Sequence, residues 1–580
     1  MRKRFALAIV AVAGMFLASA AVSAAQQNVA PRGELGKKVD EYLDRLEKLG
    51  FSGGVLVAKD GEIVLNKGYG WANRERKIAF TAETVSSIGS ITKQFTGAAI
   101  LKLEMMGKLR TDDPISKYLP NVPADKKGIT IHQLLTHTSG IAPVPGGDDD
   151  PITRDELVRQ ALALPLVDPP GARFRYSNEG FSLAAAIVEY VSGKSYEEFL
   201  HENLFKPAGM TQTGYVIPKW APDRMAHGYN EQGRDMGTFE SHNWGPHGPG
   251  WHLVGNGGIL STPGDMYRWH LALLGDSILS KEAKEKYYKP YILTDAGDYY
   301  GYGWGMLTTP RNTKLITHNG GNGIFFADFR RYVDENIVIF AFSNGEIRAT
   351  QLGNNQLPAL VFGENLPMPR KVIALAPAAL AKLAGTYRTE AGETLQIAES
   401  NGRLVVSSAG KRLLALLAGL TPAGSPPFAR AEERTKRIVE AASKGDYAAV
   451  FEAFGRQIPL ERVREQEGSA WQQMRENNGE FKGVEIRGSS RQGPAVRVVA
   501  QLNFQRGSVS MVYAWDGENI MTIQMMRQPP GSTFFPQSET EFVRFSLRDP
   551  QPLVIRFQTG ATTQVVLPAP GGEIKATKVR

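Results

Sequence analysis

The chain has 580 residues, and 42% of them are hydrophobic, which is enough for several packed cores and too many for a disordered chain. The net charge is +8, but the basic residues are scattered and form no dense tract, which argues against a nucleic-acid-binding protein. The absence of cysteine excludes disulfides, thiolate metal sites and a thiol nucleophile.

The N-terminus has the layout of a secretory signal peptide, predicted over residues 1–25. It reads MRKRFALAIVAVAGMFLASAAVSAAQQ, with a basic start, an apolar stretch and an exit rich in small residues. The apolar stretch is also just long enough to remain as a membrane anchor, but the small-residue exit favours cleavage. We therefore expect a periplasmic or secreted mature chain with no stable membrane anchor.

The next elements predict an α/β fold. The segment ELGKKVDEYLDRLEKLG carries one apolar stripe and predicts a helix, and GGVLVAKDGEIVLNKGYG predicts a hairpin that turns at Asp60-Gly61. From Pro114 to about Leu274 helical patches alternate with loops. Three antiparallel strand segments are then expected in GYGWGMLTT, TKLITHNGGNGIFFADFRR and NIVIFAFSN. The predicted fold class is an antiparallel sheet flanked by helices, with an all-helical subdomain.

A candidate nucleophile lies at the start of the helix predicted after the hairpin. Ser90-Ile91-Thr92-Lys93 is an S-x-x-K pattern, and residues three apart are neighbours on one helical face. A serine in this position is most often an N-cap. It becomes a nucleophile if a nearby lysine that is partly neutral removes its proton, and the helix N-terminus favours developing negative charge. Both interpretations stay open on this pattern alone.

Two other matches have the wrong context for catalysis. Ser408 and Lys411 repeat the S-x-x-K spacing, but in a turn between strands, where the two side chains would point in unrelated directions. The segment Gly50 to Gly54 is a literal G-x-S-x-G, but a helix precedes it and a strand follows, the reverse of a nucleophile elbow.

Two further motifs favour the nucleophile interpretation of Ser90. In Tyr176-Ser177-Asn178 the phenol could relay a proton and Asn178 could hold a substrate carbonyl, although a loop tyrosine and an N-cap asparagine are the simpler alternatives. His318-Asn319-Gly320-Gly321 falls in a predicted strand, where the glycines would let a substrate backbone lie close. The simpler alternative there is a hairpin turn.

Taken together, SITK, YSN and HNGG resemble, in order and context, the motifs of the serine β-lactamase and penicillin-binding protein superfamily. The segments GITIHQLLTHTSGI and VGNGGILSTPGDMYRWHLALL are similar to its class C branch, which includes D-alanyl-D-alanine carboxypeptidases, D-aminopeptidases and esterases. The resemblance covers about residues 36–344. It implies that Ser90 is acylated, that Lys93 and Tyr176 manage its proton, and that Asn178 contacts the substrate. It also implies an oxyanion hole formed by the N–H groups of Ser90 and Gly321.

One position departs from the family pattern, because His318 stands where the family has the lysine of K-T-G. A histidine is mostly neutral near pH 7 and attracts a substrate carboxylate less strongly. By the family resemblance, His318 is instead expected at the catalytic site as a residue that accepts or donates a hydrogen bond, as in the esterase and peptidase members. The sequence therefore predicts an exported serine hydrolase that acts on an ester or a D-amino-acid peptide or amide, with weak β-lactamase activity at most. The alternative is a catalytically silent relative that binds cell wall or regulates another protein.

No metal site or cofactor is expected. His242, His247 and His252 are spaced by five, lie on no common helix face, and predict a rim of the active site. The acidic run at 146–150 predicts a solvated loop. The expected partners are a small-molecule or peptide substrate, including cell-wall-derived peptides, and no nucleic acid.

The C-terminal third predicts two further domains. Prolines at 367, 369 and 377 mark a linker after a hydrolase domain at 26–366. Residues 377–426 and 527–580 resemble the two halves of a small β-barrel that often follows this type of catalytic domain. Residues 427–526, with helices first and strands after, predict an α+β domain inserted into that barrel, similar in outline to the nuclear-transport-factor-like fold.

Overall fold

The computed structural model describes residues 30–230, 233–294, 296–408, 410–455, 460–492, 495–525, 532–547, 552–569 and 571–579. The signal peptide predicted at 1–25 lies outside these ranges. Within them, no helix combines the length and the apolar character that a bilayer crossing requires. The chain divides into two compact units between Pro369 and Arg370. The domain boundaries given above stay predictions.

The first unit combines helices with antiparallel strands. Its helices are α1 (Gly33–Lys48), α2 (Thr92–Met105), α3 (Ile131–Leu135), α4 (Arg154–Ala163), α5 (Asn178–Ser192), α6 (Tyr196–Leu200), α7 (Pro263–Leu274), α8 (Lys281–Tyr287), α9 (Ala349–Gln351) and α10 (Leu357–Val361). Its strands are β1 (Gly53–Lys59), β2 (Glu62–Tyr69), β3 (Trp71–Asn73), β4 (Ile78–Ala79), β5 (Ser86–Ser87), β6 (His227–Tyr229), β7 (Asp235–Thr238), β8 (Leu260–Ser261), β9 (Ile292–Leu293), β10 (Tyr299–Tyr300), β11 (Gly305–Thr308), β12 (Lys314–Gly321), β13 (Phe326–Tyr332) and β14 (Ile337–Ser343).

The predicted N-terminal helix and hairpin are confirmed. The buried face of α1 includes Val39, Tyr42 and Leu46, at the three- and four-residue spacing of one helical stripe. Strands β1 and β2 pair with Lys59 opposite Glu62, which leaves Asp60-Gly61 as a two-residue turn. Both turn residues have positive φ, 53° and 82°, as a type I′ turn requires.

The central sheet is antiparallel and runs in the order β2-β1-β14-β13-β12-β11-β10-β9. The strands predicted after residue 300 are therefore confirmed. Every residue of β14 is buried, which explains its continuous apolar sequence IVIFAFS. The sheet carries His318 and the following glycines on β12, which is separated from β14 by β13 alone.

Between Pro114 and Leu274 helices alternate with loops, as predicted, and the region also contains short strands. Strands β6 and β7 form a small hairpin, and β8 pairs with β5 just before α2. Helix α2 is buried along most of its length and packs beside α5. This packing brings residues 90–93 and 176–178 to one place.

The second unit contains helices α11 (Pro377–Leu383), α12 (Lys411–Leu417), α13 (Ala429–Ala442), α14 (Ala448–Ala453) and α15 (Leu460–Asn478). Its strands are β15 (Gly385–Thr389), β16 (Thr394–Ser400), β17 (Arg403–Ser408), β18 (Phe481–Gln492), β19 (Ala495–Phe504), β20 (Ser508–Asp516), β21 (Asn519–Met525), β22 (Ser532–Pro536), β23 (Glu541–Arg544), β24 (Val554–Gln558), β25 (Gln564–Ala569) and β26 (Gly572–Lys578).

A closed barrel and an inserted α+β layer make up this unit, so the predicted fold class is confirmed. The barrel order is β15-β16-β17-β22-β23-β24-β25-β26, and Leu404 opposite Phe534 joins its two halves. Helices α13 to α15 and the separate sheet β18-β19-β20-β21 fall between the halves in sequence. Two register shifts in β18 indicate the bulges that curve this sheet.

Candidate active site

Ser90 lies in a single 3₁₀ turn, Gly89–Ile91, that leads directly into α2. The backbone N–H of Ile88 donates to the carbonyl of Ile259, and the N–H of Ile259 donates to Thr92 Oγ1 at 3.3 Å. The turn is therefore fixed on both sides by the segment that leads into β8. The cap positions of this turn and of α2 are Ile88 and Ile91, so Ser90 is the N-cap of neither element.

Lys93 is fully buried, and its amine lies 3.1 Å from Ser90 Oγ. Two further oxygens accept hydrogen bonds from Nζ: the Asn178 side-chain oxygen at 2.8 Å and the Asn256 carbonyl at 2.7 Å. These two oxygens can only accept, so they occupy two N–H groups of the amine. When Lys93 is neutral, its lone pair is therefore left to face Ser90.

The electrostatics of the site favour a neutral Lys93. Burial lowers the pKa of Lys93 to about 7, and the nearby carboxylates of Glu179 and Asp148 act in the opposite direction. A lysine with this pKa is partly unprotonated at neutral pH. It can therefore accept a proton, which an ordinary exposed lysine cannot do there.

Tyr176 lies next to this pair. Lys93 Nζ is 4.7 Å from the centroid of its ring. The residue as a whole is 45% exposed, and protein surrounds its hydroxyl closely enough to disfavour the phenolate. This enclosure raises the pKa of the phenol, while hydrogen bonding to Ser90 acts to lower it. The phenol is therefore protonated at neutral pH, and part of the residue remains exposed.

Asn178 is the first residue of α5 but is not its N-cap. Ser177 caps the helix, and its Oγ accepts from the N–H of Gly180 at 3.1 Å. The N-cap alternative for Asn178 is thus wrong, because the adjacent serine takes that role. With its side-chain oxygen on Lys93, Asn178 keeps its amide N–H groups for other acceptors.

His318 is buried and held as a neutral imidazole. Its Nδ1 donates to the carbonyl of Asn319 at 2.6 Å, which fixes the proton on Nδ1 because a carbonyl only accepts. Nε2 then accepts from the hydroxyl of Tyr300 at 2.9 Å. Burial, assisted by the charge of Lys93, lowers the pKa of His318 to about 4. The position therefore carries no positive charge at neutral pH.

Glycines let β12 lie against the turn that carries Ser90. An added Cβ on Gly320 would fall 2.0 Å from the carbonyl of Ile88 and 2.7 Å from the N of Ser90. An added Cβ on Gly89, where φ is +51°, would fall 2.6 Å from the backbone nitrogen of Gly321. The backbone of Gly320 and Gly321 is thereby held against the backbone of residues 88–90.

The role of Asn256 was missed by the sequence analysis. Its carbonyl accepts from Lys93, and its side chain donates to Ser182 Oγ and to the carbonyl of His252. An added Cβ on Gly255, at φ +84°, would fall 2.4 Å from Ala185 on α5. The segment VGNGG was noted only as a family resemblance, and its glycines are the signal of this close packing.

The remaining motifs lie outside this cluster. Ser52, in the G-x-S-x-G match, donates to the carbonyl of Trp71 at 2.8 Å between α1 and β1. Ser408 donates to the carbonyl of Thr394 at 2.7 Å. His242 lies 3.7 Å from a carboxylate oxygen of Asp149, so the two loops contact each other. No group of three possible metal ligands occurs in the part of the chain that the structure describes.

The fold and this constellation define the class of protein, a serine hydrolase of the β-lactamase and penicillin-binding protein superfamily. A family model described as Beta-lactamase matches residues 36–360, and the chain belongs to that family. The chain is 29% identical over 395 residues to penicillin-binding protein 4* of Bacillus subtilis (strain 168), covering 64% of this chain and 86% of the relative. It is 35% identical over 303 residues to the putative penicillin-binding protein PbpX of the same organism, covering 50% of this chain and 73% of the relative.

Two solved structures share the fold. The octameric penicillin-binding protein homologue from Pyrococcus abyssi has a TM-score of 0.52 and 22% identity, covering 94% of this chain and all of that one. The Beta-Lactamase/D-Alanine Carboxypeptidase from Pseudomonas syringae has a TM-score of 0.50 and 18% identity, covering 58% of this chain and 100% of that one. At this level of identity the likeness concerns the fold alone.

Proposed function

We propose that this chain is an exported serine hydrolase of the class C β-lactamase-related type, which forms an acyl-enzyme at Ser90. Its substrate is an ester or a D-amino-acid peptide or amide. The observation that carries the proposal is the buried amine of Lys93, 3.1 Å from Ser90 Oγ, with a pKa lowered to about 7. This is the arrangement that a weak hydroxyl nucleophile needs.

In the first step Lys93 acts as the general base. Its lone pair takes the proton of the Ser90 hydroxyl while Oγ bonds to the substrate carbonyl carbon. The π electrons of the carbonyl move to its oxygen, which becomes an oxyanion. The backbone N–H groups of Ser90 and Gly321 stabilise it.

In the second step the leaving group departs with a proton. The proton now on Lys93 passes through the Tyr176 phenol to the leaving nitrogen or oxygen, and the bond from the acyl carbon to that atom breaks. The raised pKa of Tyr176 suits a relay, since the phenol is protonated before and after the transfer. Water then attacks the acyl-enzyme by the reverse sequence, which releases the acid and restores Ser90.

Substrate preference follows from His318 and Asn178. Asn178 offers its amide N–H groups to a substrate carbonyl. Neutral His318 supplies no charge to hold a substrate carboxylate, so β-lactamase activity is weak at most. The names of the two curated relatives support an interaction with penicillin, and they make cell-wall-derived peptides suitable candidate substrates.

A fluorescent fluorophosphonate and a fluorescent penicillin test the proposal. Both should label the wild-type protein, and Ser90→Ala should abolish the label because the acylated oxygen is gone. Ser52→Ala is the matched control, since it removes another serine of a catalytic-looking motif and should leave labelling intact. An unlabelled wild type would support a silent binding or regulatory protein instead.

A parallel substrate screen separates the activities. Initial rates on p-nitrophenyl esters, D-alanyl peptides and nitrocefin would be compared with one enzyme preparation. We expect turnover of the first or second class to exceed that of nitrocefin by about a hundredfold or more, a difference of a few kcal/mol in transition-state binding. Nitrocefin turnover equal to the best ester or peptide would contradict the argument from His318.

A further inference from the structure

His137 holds the segment that carries Tyr176. It lies in the loop after α3, is 1% exposed, and contacts three consecutive residues of that segment. Its carbonyl accepts from the N–H of Arg175 at 2.7 Å, and its Nδ1 accepts from the N–H of Ser177 at 2.9 Å. Between them its ring stacks on the ring of Tyr176, with centroids 4.3 Å apart and an angle of 30°.

The backbone of His137 is arranged for this contact. Its φ of +58° lies in the left-handed region, which residues other than glycine seldom adopt and which costs of the order of 1 kcal/mol. This conformation directs both the carbonyl and the imidazole towards residues 175–177. The left-handed backbone of His137 therefore helps to hold the segment that carries Tyr176.

Other aromatic rings surround the rest of the His137 ring. Phe181 and Tyr300 lie at centroid distances of 4.9 and 4.7 Å, and Phe174 lies edge-on at 5.6 Å. The Ser177 N–H requires an unprotonated Nδ1, so the hydrogen is on Nε2, which is buried and has no hydrogen-bond partner in the described residues. The ring is thus a rigid neutral support behind the phenol.

We propose that His137 is a positioning residue for Tyr176, which keeps the phenol hydroxyl at Ser90 during protonation of the leaving group. The proposal rests on the proposed function, in which Tyr176 relays that proton. It places His137 outside the reacting atoms and explains why a buried histidine occupies a strained loop position beside the cleft. Its loss should slow acylation most for substrates whose leaving group depends on the relayed proton.

Phenyl acetate and p-nitrophenyl acetate form the test, because they give the same acyl-enzyme and differ only in the leaving group. His137→Asn keeps an acceptor for Ser177 and tolerates positive φ, but removes the ring. We expect kcat/KM for phenyl acetate to fall about tenfold to a hundredfold, as for a displaced catalytic group, and that for p-nitrophenyl acetate to fall much less. A loss of equal size on both esters would overturn the proposal.

His132→Asn is the matched control. It makes the same substitution five residues earlier, at a histidine whose Nδ1 bonds to the hydroxyl of Tyr302 instead. Its ratio of phenyl to p-nitrophenyl activity should equal that of the wild type. His137→Phe keeps an aromatic ring but no acceptor, and it should lose less phenyl acetate activity than His137→Asn.

A double-mutant cycle with Tyr176→Phe completes the design. If His137 works through the phenol, His137→Asn should cost little more once the hydroxyl is absent. Additive losses would identify a general structural role and overturn the proposal. The two proposals can fail separately: an unaffected Tyr176→Phe contradicts the relay itself, whereas a slowed Tyr176→Phe beside an unaffected His137→Asn contradicts only the positioning role.

Discussion

At the scale of single residues, the site depends on which atoms surround a buried charge. Lys126 and Lys93 are both buried lysines of the same unit. Lys126 Nζ lies 2.7 Å from a carboxylate oxygen of Asp125, which balances its charge. Lys93 Nζ has only neutral oxygens within hydrogen-bond distance in the described residues, so burial there disfavours the ammonium form.

This difference predicts the pH dependence of the reaction. The pKa of Lys93 is lowered to about 7, so its basic form is present above that pH and is lost as the pH falls through it. We expect kcat/KM for p-nitrophenyl acetate to fall about tenfold per pH unit below that value and to level off above it. His318, with a pKa of about 4, does not titrate in this window.

Substitution of the lysine provides the check on that profile. Lys93→Arg puts a permanently charged guanidinium in the site and should abolish activity at every pH up to 9. Lys126→Met, at the other buried lysine, should keep the midpoint near 7. A wild-type midpoint near 10 would mean that Lys93 is not the base or that its amine is solvated.

At the scale of elements, the site depends on the contact between strand β12 and the turn Gly89–Ile91. The two approach so closely that an added Cβ on Gly320 would lie 2.0 Å from a backbone oxygen. Backbone atoms cannot move aside as a flexible side chain can. Any side chain at this position must therefore separate the strand from the turn. This separation would shift the N–H group of Gly321 relative to that of Ser90, the two proposed oxyanion donors.

Gly320→Ala is accordingly predicted to reduce kcat by about a hundredfold or more, the usual effect of losing one oxyanion donor. Steady-state kinetics on p-nitrophenyl acetate would measure this loss, with thermal unfolding as a check on folding. Gly305→Ala, on the neighbouring strand β11, is the matched control because its added Cβ would approach nothing closer than 3.4 Å. Equal activity of the two variants would contradict the close-contact argument.

The elements also show what sequence patterns can and cannot predict. Periodicity and turn residues were sufficient for α1, the β1–β2 hairpin and the strands β11 to β14, because each signal is local. The two halves of the barrel were expected from the family resemblance instead. Asn256 and Tyr300 were missed because their contacts with Lys93 and His318 depend on tertiary packing. The backbone carbonyl of Asn256 is what acts on Lys93, and a carbonyl leaves no signature in the residue type.

At the scale of the whole molecule, each unit has hydrophobic cores of its own. The first unit encloses one large cluster, which includes Phe95, Phe205 and Trp269. In the second unit the barrel encloses Tyr387, Phe542 and Phe557, and the inserted layer has a separate cluster around Trp471 and Trp515. A substitution in one cluster should therefore destabilise its own part of the chain first.

Phe557→Ala tests this independence. The side chain is 3% exposed and packs edge-to-face on Phe542 at 5.5 Å, so its removal should cost the barrel about 3–5 kcal/mol. Calorimetry should show one transition moved to lower temperature. Below that temperature, the rate constant for penicillin acylation of Ser90 should equal that of the wild type, because no residue of the proposed mechanism lies in the barrel.

Phe95→Ala makes the same truncation beside the active site. Phe95 is fully buried on α2, two residues after Lys93, and packs edge-to-face on Phe205 at 5.0 Å. The cost in unfolding free energy should be similar, about 3–5 kcal/mol. Acylation of Ser90 should slow as well, since the cavity lets α2 shift and the lysine with it. If Phe557→Ala slowed acylation as much as Phe95→Ala does, the barrel would have to support the catalytic unit, and the separate cores would not act independently.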